Sequence, residues 1–263
     1  MNRYVEIARV SYRRHRAYRA ANIAGLATNG FFGLVRSFVF LALYRARPEA
    51  EGYVLLDALT YVWVTQALIM PVMHWGWLEI AQTIRDGDVI SDLSKPVSFF
   101  GYWLSRDLGR SGYYVLYRFV PTLCIGLILF PMRLPEHLTT WIYFTLSVLM
   151  AAVLGFCVLF LINITGFWTT DVRGINSVVL TAVNFLTGFI VPLEFFPPAA
   201  RAIAEVLPFA GMISIPINIF LERATGLAML GLLGRQALWV CMLVLACHVT
   251  LAAATRRLVV QGG

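Results

Sequence analysis

This sequence has little charge. Aspartate, glutamate, lysine and arginine make up 13 % of its 263 residues, while 59 % are hydrophobic and the mean hydropathy is +0.74. Soluble domains carry roughly twice that charged fraction, so a soluble globular chain is excluded. There is one lysine, Lys95. The four cysteines, Cys124, Cys157, Cys241 and Cys247, all stand inside apolar runs. None is spaced for zinc or sits in a polar loop where a disulfide could staple it, so they read as small packing residues. No G-x-x-x-x-G-K-[ST] loop is present, so the chain cannot bind and hydrolyse ATP in the usual way. H-E-x-x-H, G-x-S-x-G and paired metal-spaced His or Cys are also missing, and no nucleophile faces a base. The sequence therefore supplies no catalytic residue, no metal ligand set and no cofactor site. Asp57, Glu79, Asp171 and Glu194 fall at the edges of apolar runs, which leaves an ion-gradient carrier without a central carboxylate. No internal repeat, low-complexity tract or separate soluble domain is visible, so residues 1–263 read as one transmembrane domain.

What is present is a series of apolar runs suited to the ~30 Å hydrocarbon core of a bilayer, the third just adequate in length and the fifth short. They fall at about 23–44, 54–75, 113–130, 138–164, 175–191 and 227–254. His74 and the Trp75/Trp77 pair mark an interfacial boundary at the end of the second. Gly25, Gly30 and Gly33 in the first run would allow close helix approach. Pro121 is expected to kink the third. Residues 1–21 hold six arginines and one acid, Glu6. Arg9, Arg13 and Arg16 share one side of a helical wheel, and Tyr4, Ala8 and Tyr12 another, as in a basic amphipathic helix lying at the membrane interface. The net charge of +7 then reports orientation rather than nucleic-acid binding.

Residues 192–226 contain Pro192, Pro197, Pro208 and Pro216, which divide the segment into two pieces too short to cross. Read as one span, the segment would bury Arg201 and Glu205 and move Arg256 and Arg257 to the other side. Read as a re-entrant or interfacial helical hairpin, it leaves six spans with both termini on one side. With the N-terminus inside, thirteen basic residues lie in inner segments and five in outer ones, which satisfies the positive-inside rule. The expected fold is an all-α membrane protein with six transmembrane helices, an interfacial N-terminal helix, a re-entrant hairpin before the last span and cytoplasmic termini.

Between the second and third runs lies the longest charged internal stretch, WLEIAQTIRDGDVISDLSKPVSFF, residues 77–100. It breaks at Gly87 and stops at Pro96, and reads as a loop with one or two short helices, shaped to meet a partner. Within the spans, weakly polar stripes appear: Thr65 and Gln66 in the second, and Asn176, Leu180, Asn184 and Thr187 at helical spacing in the fifth. Such residues either glue helices together or line a path at a dimer interface. Arg36, inside the first run, either snorkels or pairs, or else faces a polar path or an anionic ligand.

Two stretches resemble the membrane subunits of type-2 ABC exporters, specifically the bacterial six-span permeases of this length. Ile84-Arg-Asp-Gly-Asp-Val-Ile-Ser-Asp-Leu-Ser-Lys-Pro-Val97 is similar to the family's "I-x-x-G-x-(7)-[KR]-P-[VL]" loop. Thr187-Gly-Phe-Ile-Val-Pro192-Leu-Glu-Phe-Phe-Pro197, with Leu207-Pro-Phe209 and Ile215-Pro216, is similar to its block before the last span. The resemblance implies a permease of the bacterial cytoplasmic (inner) membrane that works as a homo- or heterodimer with separate ABC ATPase subunits, which bind the ATP and Mg. It implies export of hydrophobic or amphipathic cargo such as drugs, lipids or glycans. Residues 78–110 would be the coupling loop, with Arg85, Asp86, Gly87, Asp88, Asp92 and Lys95 meeting the ATPase. Arg36, Thr65, Gln66, Asn176, Asn184 and Thr187 are candidates for the translocation path or dimer interface. The competing readings are an ion-gradient-driven secondary transporter and a membrane-embedded enzyme or assembly protein.

Overall fold

A computed structural model describes residues 2–47, 49–73, 77–169 and 171–256; His74, Trp75 and Arg257 lie outside the described residues. The chain is mostly helical (80 %). Among the described residues, five helical segments are long and apolar enough to cross a membrane: Ala20–Ala46, Leu55–Val72, Phe99–Leu129, Leu138–Phe167 and Gly226–Thr255.

Helix α1, Arg3–Arg16, starts at Asn2, whose side chain accepts the Tyr4 N–H, a standard N-cap bond. Helix α2, Arg19–Ala46, and helix α3, Leu55–Val72, are joined by the two-residue strands β1 (Glu49–Ala50) and β2 (Tyr53–Val54), paired antiparallel. Of the three glycines expected to admit a close neighbour, Gly25 faces the Arg118 guanidinium and Gly33 the Trp63 ring, while Gly30 faces open space.

The third crossing segment begins at Phe99, fourteen residues earlier than hydropathy places it. Helix α6, Phe99–Tyr114, carries Arg106, Asp107 and Arg110 and runs through a π-helical turn, Val115–Phe119, into helix α7, Val120–Leu129. The wider turn precedes Pro121, which has no N–H to donate and whose ring crowds the preceding turn. Hydropathy places the start later because it counts these charges as free, whereas Arg106 pairs with Glu79 and Arg110 with Asp107. Arg110 Nε donates to Asp107 Oδ1 at 2.8 Å and Nη1 to the Met70 carbonyl at 2.8 Å. This buried pair thereby satisfies an end carbonyl of α3.

Helix α8, Leu138–Ile164, is the central post, followed by helix α9, Arg173–Leu186. The fifth expected span is thus helical over fourteen residues, about 21 Å at helical rise, and falls short of a full crossing. Gly188, at φ +80, turns the chain out of the helix. Residues 192–226 form two short helices, α10 (Pro198–Val206) and α11 (Ser214–Phe220). Pro198 and Pro216 both sit in first turns, where a missing N–H costs nothing. Neither helix is long enough to cross. Gln236, buried on the last helix, α12 (Gly226–Thr255), holds the segment in place by donating from Nε2 to the Gly211 carbonyl at 2.7 Å. Its Oε1 accepts from Ser147 Oγ on α8 at 2.8 Å.

Contacts sort the connections into two ends. At one, Arg3 donates to the Pro96 carbonyl and Asn163, at the end of α8, meets Ala81. Ala254, at the end of α12, belongs to the same apolar cluster as Ile80, Val89 and Phe99. At the other end, Arg223 donates to the Gly52 carbonyl, Tyr53 to Glu194, and His137 and Thr140 meet Glu222.

Candidate functional site: a buttressed polar tip and an apolar cavity

The stretch between the second and third crossing helices folds as helix α4, Glu79–Asp86, a left-handed Gly87 (φ +83), and helix α5, Val89–Leu93. Gly87 is the residue suited to this turn, because a Cβ is disfavoured at positive φ. Ile80, Ala81 and Val89 are buried beneath the turn, and Arg85, Asp86, Gly87, Asp88 and Ile90 are exposed. Arg85 Nε reaches Asp86 Oδ1 at 3.3 Å across the surface, a pair worth little in water.

Asp92 and Lys95 do not share that exposure. Asp92 is 9 % exposed and pairs with Lys95, whose ammonium lies 4.0 Å from the Tyr102 ring centroid. Burial alone would lower the Lys95 pKa, but hydrogen bonds to Asp92 and Tyr102 raise it above the ordinary value, keeping the cation charged. The pair closes the α5 turn and faces inward.

Three contacts that the sequence reading missed buttress the tip. Asn163 Oδ1 accepts the Ala81 N–H at 2.9 Å, satisfying a donor of α4's first turn. Glu79 Oε1 accepts from Arg106 Nη2 at 2.7 Å and lies 3.7 Å from Arg14 Nη1, joining α4, α6 and α1. Burial acts to raise the Glu79 pKa; the hydrogen bond and charge of Arg106, then Trp77 and Arg14, hold it below the ordinary carboxylate value. Finally, α1 packs on α6 through the face expected from its wheel. Tyr4 reaches Ser98, the Ala8 carbonyl fits against Gly109, Ser11 donates to the Arg106 carbonyl at 2.6 Å, and Tyr12 meets Tyr113 edge-on. The only signal for Asn163 in the sequence was its place at the end of the fourth apolar run, which does not name its partner.

The six path candidates separate. Arg36 and Gln66 line one cavity of about 540 Å³, between α2, α3 and residues 189–195. Arg36 Nη2 donates to the carbonyls of Phe189 and Ile190 at 2.7 and 3.0 Å. Thr187 borders the same turn and accepts the Phe189 N–H. Thr65 is buried away from it, donating to the Tyr61 carbonyl in its own helix. Asn176 and Asn184 stand on α9, outside the cavity, each with an enclosed Oδ1 that has no hydrogen-bond partner. Of the four prolines, Pro192 precedes the 3₁₀ turn Leu193–Phe195, Pro197 precedes α10, Pro208 opens a 3₁₀ turn to Gly211 and Pro216 lies in α11.

A family model described as "ABC-2 family transporter protein" matches residues 32–262. The chain belongs to the ABC-2 transporter family. No curated protein and no solved structure matches it. As an ABC-2 permease it is a multi-pass membrane transport component, and such permeases work with ABC ATPase partners rather than through catalytic residues of their own. The polar tip and the apolar cavity are therefore the two features of this permease that need a functional account.

Proposed function

We propose that this permease is the membrane subunit of an ATP-driven exporter, pairing with a second copy or a paralogue and coupling to separate ATPase subunits through the tip at Arg85–Asp88. The observation that carries the reading is the tip itself. It is a short, glycine-turned pair of helices with an exposed turn, contacted by α8, α6 and α1, which suits transmission of force rather than passive linking. A free loop would dissipate a push; α4 passes it to α8 through Asn163 and to α6 and α1 through Glu79.

In this reading α9 and the turn after it complete a sixth crossing. Both termini and the tip are cytoplasmic, residues 192–226 are re-entrant, and the membrane is the bacterial inner membrane. Dimerisation is supported by α9, which leaves Val178 and Phe185 exposed while packing sparsely within its own chain. The cargo is a hydrophobic or amphipathic compound.

The test is co-expression with the phosphate-loop protein encoded beside this chain. The two are expected to copurify, with ATPase activity only in the complex. Absence of any copurifying ATPase, or transport that persists without ATP and collapses with an uncoupler, would overturn the proposal.

A further inference from the structure

We infer that the cavity beside Arg36 binds an amphiphile with an anionic head, its carboxylate or phosphate on the guanidinium and its apolar body along α2. This rests on the export reading only in taking the ligand to be cargo; the binding itself does not require it.

Arg36 stands seventeen residues into the 28-residue α2, a depth at which a cation costs ~2.5–3.5 kcal/mol even on insertion scales. Chains tolerate such a group when it is paired. Here Nη2 meets the two carbonyls after Gly188, and the guanidinium carbon lies 5.4 Å from the Phe189 ring centroid. These contacts solvate one edge of the cation without neutralising it. Nη1 is enclosed with no hydrogen-bond partner, and among the described residues no carboxylate lies within ion-pair distance. A positive charge that no carboxylate compensates therefore borders a cavity whose walls include Phe32, Val39, Phe40, Leu43 and Phe195, with Thr28 and Asn29 at its polar side.

That combination selects by charge. A cation would be repelled, and a neutral apolar molecule would leave the guanidinium uncompensated. An oxyanion in the cavity would compensate the guanidinium charge, an attraction strengthened by the low dielectric. About 540 Å³ lies within the usual range for a small-molecule site. Phe32 and Val39 are exposed on the flank of α2, so a long apolar tail can leave sideways without crossing a polar surface. Gln66, buried on α3, adds a polar group to the wall. The same head chemistry could come from an exported acid or from an anionic phospholipid.

The experiment uses the full chain, alone, in phosphatidylcholine discs, titrated with dodecyl phosphate, dodecanol and dodecyltrimethylammonium. Saturable binding is expected for dodecyl phosphate only, weakened at least tenfold in Arg36→Gln and less in Arg36→Lys. Val39→Trp should block binding with the guanidinium intact, and it serves as the test should Arg36→Gln fail to fold. Adding phosphatidylglycerol to the discs separates the sources. Displacement assigns the cavity to a bilayer lipid, and persistence assigns it to a smaller anionic amphiphile; both support the anion site. Equal binding of the phosphate and the ammonium, or undiminished binding by folded Arg36→Gln or Val39→Trp, overturns it. Since no ATPase is present, that failure is separate from failure to copurify one, which would overturn the export reading alone.

Discussion

At the scale of single residues, one buried and one partly buried polar contact make quantitative predictions. Replacing Asn163 by Ala leaves the Ala81 N–H without its acceptor in a dry site, which typically costs ~1–3 kcal/mol. Lower thermal stability and faster proteolysis between residues 84 and 90 are expected, with membrane insertion unchanged. Glu222 is the second. Burial acts to raise its pKa, but bonds from Thr140 and from the His137 side chain and main chain hold it down to about 2, against an ordinary 4.5. Its ionised form is thus preferred in the fold. The stabilisation is complete above about pH 4.5 and is lost as pH falls through about 2. The difference in melting temperature between wild type and Glu222→Gln should be largest near neutral pH and shrink as pH falls below 4.5. A difference that grows with acid would contradict the assignment.

At the scale of elements, the tip separates residues that a sequence reading groups together. Arg85, Asp86, Gly87, Asp88, Asp92 and Lys95 all stand in one charged stretch, but they do two jobs. Asp88→Lys reverses charge on the exposed surface, so it should weaken ATPase association several-fold with little change in melting temperature. Asp92→Lys places two cations together inside the α5 turn, so it should lower melting temperature first and association as a consequence. Copurification yield beside a melting curve distinguishes them. Gly87→Ala retains space but not the left-handed turn, a strain of ~1–2 kcal/mol. The exposure of Arg85, Asp86 and Asp88 follows from composition and was legible. The burial of Asp92 was not, because it depends on Lys95 and Tyr102 closing over it.

At the scale of the whole molecule, α9 packs sparsely within its own chain and leaves Val178 and Phe185 exposed. If its exposed face meets a second copy, Val178→Cys in a background with Cys124 and Cys241 changed to Ala should form an intermolecular disulfide under mild oxidation. Leu238→Cys on α12, which is also exposed, serves as the control and should not. The reverse pattern would move the dimer contact to the last helix.

Composition and periodicity by themselves determined that the chain is a helical membrane protein, where most of its apolar spans lie, that the N-terminal segment is an amphipathic helix, and that 192–226 is broken by proline. These follow from local rules: a bilayer demands long apolar helices, and proline cannot continue one. The tertiary structure decided what depends on partners distant in sequence. Arg106 meets Glu79 and Arg110 the Met70 carbonyl, partners 27 and 40 residues away, which is how α6 carries its charges. Asn163 fastens α4 from 82 residues away. Arg36, one charge in an apolar run, gained its surroundings only when residues 189–195 closed a cavity beside it without bringing a carboxylate within ion-pair distance.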